Sequence, residues 1–124
     1  MSVERNYYVI AGYDLTNSIV DEQKFYEEWR WTEEGEKYFC GYKKDNVQLF
    51  NGGMRGDTLY LGYVLACADE YDFDTVKFKI TDIENVKSKV NSVLLHLQNI
   101  GLIADNDDFG SPLRYEIIVF EEDY

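Results

Sequence analysis

Proline, histidine and cysteine are nearly missing from this chain: its 124 residues include one Pro, one His and two Cys. A single proline with only 9 glycines leaves little room for long linkers. Cys40 and Cys67 lie far apart, form no C-x-x-C pair and have no metal-ligand spacing, which argues against a disulfide framework or a zinc site. The polar stretch Met1 to Asn6 lacks the basic start and apolar core of a signal peptide. No apolar run approaches the ~20 residues of a membrane helix. The expectation is a cytoplasmic chain with reduced thiols, both cysteines serving as small buried hydrophobes.

The one histidine, His96, limits nucleophilic chemistry. No G-x-S-x-G elbow is present, and spacing favours neither Cys40 nor Cys67 as its partner. His96 reads as a partly exposed helix residue beside an apolar stripe, and the chain reads as a non-enzyme without a cofactor. Cations are scarce too. Twelve Lys and Arg face 24 Asp and Glu, for a net charge of −12. Nucleic-acid backbones and anionic membranes are bound through Lys and Arg, so both are disfavoured as direct partners.

What is abundant is apolar and aromatic: 45% of residues are hydrophobic and 16% aromatic, including 11 Tyr and 7 Phe. Such a chain folds despite its charge, and its length suits one domain. Tyr7 to Tyr13 reads as a strand apolar on both faces. Phe25 and Trp29, four apart, suggest a short helix over Asp21 to Arg30. Thr32 suits the N-cap of a second, Glu33 to Cys40, which Gly35 weakens and Gly41 ends. Val47 to Phe50 and Thr58 to Ala66 form a hairpin about a glycine-rich turn, with Leu59, Leu61, Tyr63 and Leu65 on one face. Val76, Phe78 and Ile80 alternate with lysines as a further strand. Thr81 and Glu84 read as a capping box before a long helix with the stripe Ile83, Val86, Val90, Val93, Leu94 and Leu97, closed by Gly101. Leu113 to Glu121 is the last strand. The predicted fold is α+β: a mostly antiparallel sheet of about five strands, the long helix on one face and short helices after strand 1. The first and last strands are expected near its middle.

Gly52, Gly53 and Gly56 do not make a phosphate loop, because a strand follows and Asp57-Thr58 stands where Lys-Ser is needed. Asp105, Asp107, Gly110 and Glu116 match positions 1, 3, 6 and 12 of a calcium loop. Phe109, Pro112 and the following strand depart from that pattern, so Asp105, Asp107 and Glu116 are only weak metal candidates. Asp69, Glu70, Asp72 and Asp74 gather without a base, as do Asp105, Asp107 and Asp108. Tyr71, Phe73 and Phe109 lie among them, with Tyr115, Phe120 and Tyr124 nearby. Carboxylates with aromatic anchors suit an interface for a basic partner, and the expected contact residues are Asp69, Glu70, Tyr71, Asp72, Phe73, Asp74, Asp105, Asp107, Asp108 and Phe109.

The runs Tyr8 to Leu15, Trp31 to Tyr38, Asp57 to Tyr63 and Val119 to Glu122 resemble small acidic proteins of Gram-positive bacteriophages and prophages. The resemblance implies an accessory protein of the host cytosol that binds a host factor or blocks a defence nuclease. A shape-specific inhibitor is favoured over a DNA mimic, because twelve bases dilute the acids. A small-ligand or divalent-metal-binding domain and a homodimeric structural protein are the competing expectations.

Overall fold

The computed structural model describes residues 5–39, 46–51, 58–69, 77–104 and 113–123. Strand β1 (Arg5–Asp14) is followed by a π-helical turn (Lys24–Glu28), a 3-10 turn (Trp29–Trp31) and helix α1 (Glu33–Phe39). Strands β2 (Val47–Phe50) and β3 (Tyr60–Asp69), helix α2 (Ile80–Asn99) and strand β4 (Glu116–Asp123) complete the order. The sheet runs β2-β3-β1-β4, and every pair is antiparallel. This is the expected α+β architecture with four strands.

Alternation along each strand gives the sheet two apolar faces. Tyr13, Leu49, Leu59 and Leu61 meet Val90, Leu94 and Leu97 of α2 on one face, joined by Phe25 and Trp29. Ala11 and Leu65 meet Val86 nearby. Burying each such aliphatic side chain contributes about 1.5–3 kcal/mol. The opposite face gathers Tyr8, Ile10, Phe50, Val64 and Phe120. There Phe120 lies 5.3 Å from Tyr8 and 4.9 Å from Tyr60, ring centre to ring centre.

The end of α2 is built as its sequence suggests. Gly101 takes φ +81°, in the left-handed region that glycine enters without strain. Its N–H donates to the Gln98 carbonyl at 3.1 Å, and the Leu102 N–H donates to that of Leu97 at 3.0 Å. This is a Schellman stop, completed by burial of Leu97 and Leu102 in one cluster. Beyond it Ile103 bridges to Ile19, tying the α2 exit to the β1 exit.

Three expectations are corrected. Residues 77–79 form no strand, and α2 begins at Ile80, where the alternation had suggested an extended chain. Its N-cap is Lys79, with no side-chain cap, so Thr81 and Glu84 form no capping box. The last strand lies beside the first, but at the sheet edge rather than near the middle.

Candidate binding surface

The segment between β1 and β2 assembles an aromatic box with an acidic exterior. Asp21 starts it: its carboxylate accepts the N–H groups of Gln23 at 3.0 Å and Lys24 at 3.2 Å. Phe25 and Trp29 then turn inward with ring centres 5.3 Å apart, as their spacing suggested. Tyr38 stacks on Trp29 at 5.9 Å, and Phe39 meets Phe25 edge-on at 6.0 Å. The intervening backbone widens into a π turn and then tightens into a 3-10 turn, irregularities that recur at functional sites.

Thr32 joins the turns to α1. Its hydroxyl donates to the Trp29 carbonyl at 2.7 Å and accepts the Gly35 N–H at 3.1 Å, the N-cap role expected of it. The buried Gly35 lets α1 approach the turn: a Cβ there would stand 2.1 Å from the Trp29 carbonyl oxygen. Asn51 secures the other side, donating to the Tyr26 hydroxyl at 3.0 Å and the Thr58 carbonyl at 3.2 Å. Arg30 lies half-buried, its guanidinium 4.6 Å above the Phe39 ring and 5.5 Å from that of Trp31.

Trp31 points the other way and is 66% exposed. Glu27 and Glu28 precede it by four and three residues, the spacing of side chains sharing a helical face. Glu33 and Glu36 follow it on α1, and all four carboxylates are exposed. From Asp21 to Glu36 the sequence holds seven acids against two bases, Lys24 and Arg30, and Arg30 is the one stacked on the rings. Trp31 thus sets one large ring amid four exposed carboxylates.

His96 anchors the site to α2. Its Nε2 hydrogen-bonds Glu34 Oε1, and both side chains are part-exposed. The Trp29 indole N–H reaches Glu34 Oε2 at 3.5 Å. The bond from His96 holds the Glu34 carboxyl below the usual glutamate range, with the Trp29 bond adding to it. His96 is thus a partly exposed helix residue, as expected, but with a carboxylate partner in α1.

Glu70, Tyr71, Asp72, Phe73, Asp74, Asp105, Asp107, Asp108 and Phe109 are outside the described residues, and Asp69 ends β3 opposite Asn6. Tyr115 and Phe120 do not serve as exposed anchors. Tyr115 packs 5.7 Å from Tyr13, and Phe120 is buried on the far face. Cys67 is exposed rather than buried, whereas Cys40 lies outside the described residues. Glu116 opens β4 as an exposed residue, and among the described residues no three His, Cys, Asp or Glu side chains are grouped to hold a metal ion. Among the same residues no helix is long and apolar enough to cross a membrane.

No family model matches the chain, and no curated protein or solved structure matches it significantly.

Proposed function

We propose that this chain works by stoichiometric binding, with Trp31 as the anchor of an acidic surface that receives a basic face of another protein. The observation that carries this reading is the 66% exposure of Trp31 among exposed Glu27, Glu28, Glu33 and Glu36. Tryptophan is the side chain most enriched among residues that dominate interface energies. Carboxylates around it steer a cationic partner and reject an anionic one. With the phage-type resemblance expected from the sequence, the partner to seek is a host or defence protein of a Gram-positive bacterium. Docking there would act by occupying that protein's basic surface.

The test is affinity capture from such a host lysate with three baits: the unaltered chain, Trp31→Ala, and a variant with Glu27, Glu28, Glu33 and Glu36 changed to Gln. A basic protein retained by the first and lost from both variants supports the reading. Equal capture by all three removes it. A fourth bait with Asp69, Glu70, Asp72 and Asp74 changed to Asn or Gln tests whether that acidic stretch shares the contact.

A further inference from the structure

Strand β4 presents a second surface of different character. It is eight residues long and pairs with β1 from Arg5↔Asp123 to Gly12↔Glu116 without a register shift. Long, regular edges are templates for another strand. Proteins usually protect them by shortness, bulges, proline or a covering element. The opposite edge, β2, has only four residues and is flanked by α1 and α2. β4 contains no proline, and α2 packs over β1, β2 and β3 but not over it. Among the described residues no strand pairs with its outer edge.

The consequence shows in the side chains. Ile118 and Phe120 turn to the far-face cluster, so Ile117 and Val119 point to the face that carries α2. There they stand beyond the helix, 44% and 69% exposed, beside Ala11 and Val9 in register. Glu116 is exposed and alternates to the opposite face.

Charge selects what would complete this edge. Four of the eight β4 residues are acidic and none is basic. Two copies paired antiparallel about a two-fold at Val119 would set Glu116 opposite Glu122 twice, between chains that each carry −12. Like charges directly opposite destabilise a strand pair. We infer that β4 receives an extended segment of a partner protein, with β-branched residues on the face of Ile117 and Val119 and Lys or Arg on the face of Glu116. Main-chain bonds to this edge supply affinity, and the alternation supplies specificity. The inference is independent of the Trp31 surface.

The probe is an eight-residue peptide alternating Val and Lys. Its controls are the same peptide N-methylated at every second residue, and chain variants Val119→Lys and Trp31→Ala. The expected result is peptide binding that slows the exchange of β4 amides. N-methylation and Val119→Lys should each weaken binding about tenfold or more, while Trp31→Ala leaves it unchanged. No binding, or binding indifferent to N-methylation and to Val119→Lys, overturns the inference. So does a dimer of the unaltered chain in light scattering that Val119→Lys converts to monomer, because a second copy would then occupy the edge.

Discussion

The Trp29 carbonyl oxygen lies 2.1 Å from where a Cβ on Gly35 would stand. That proximity explains a glycine inside a seven-residue helix. In an open helix, Gly→Ala gains about 1 kcal/mol from propensity alone. Here Gly35→Ala should instead lose stability, by roughly 1–3 kcal/mol from overpacking against backbone. Urea denaturation measures it, and a stabilised variant would show that α1 does not press on the turn below Trp31.

Thr32 offers a gentler perturbation of the same joint. Thr32→Val removes the hydroxyl's bond to the Trp29 carbonyl and its cap on the Gly35 N–H, while the backbone N–H at position 32 keeps its own bond to that carbonyl. The expected cost is about 1 kcal/mol, read from the shift of the urea midpoint at unchanged slope.

The link between Glu34 and His96 should appear in the acid limb of stability. The Glu34 carboxyl is held below its ordinary value of 4.5, chiefly by the His96 hydrogen bond. A depressed carboxyl pKa contributes stability that is present above 4.5 and lost as pH falls through the lowered folded value. The stability difference between the unaltered chain and His96→Ala should therefore shrink on acidification below that point. A difference that persists undiminished in acid would rule out the carboxylate as its source.

At the alkaline end the phenols act with opposite sign. Burial raises Tyr13, Tyr26, Tyr38 and Tyr115 above 10.0, with the Glu34 charge adding to the shift at Tyr38. Raised phenol values contribute stability that is complete below 10.0 and lost as pH climbs toward the folded values. Absorbance titration should show a late-ionising group of tyrosines that merges with the rest when the chain is unfolded in denaturant.

Much of the fold was legible in the sequence because buried faces impose a period. Val86, Val90, Leu94 and Leu97 mark α2, and Leu61 and Leu65 mark the helix-facing side of β3. The α2 start was obscured because Ile80 continues the alternation of Val76 and Phe78 while also standing three residues before Ile83. Its side chain is 76% exposed, so neither period reported burial there. The edge position of β4 was hidden for a related reason: apolar residues on both faces read as a central strand, yet Ile117 and Val119 lie beyond the reach of α2. Trp31 was missed as a site because a tryptophan among aromatics reads as core. The usable signal was its two-residue separation from inward-facing Trp29, which places it on the other side of the turn.

The most direct measurement labels both tryptophans with fluorine and follows their resonances by NMR while a captured basic partner is added. Assignment comes from Trp31→Phe. At saturation the Trp31 signal should shift and lose its exposure to solvent, while the signal of buried Trp29 stays nearly in place. A Trp31 resonance unchanged by a saturating partner would contradict it.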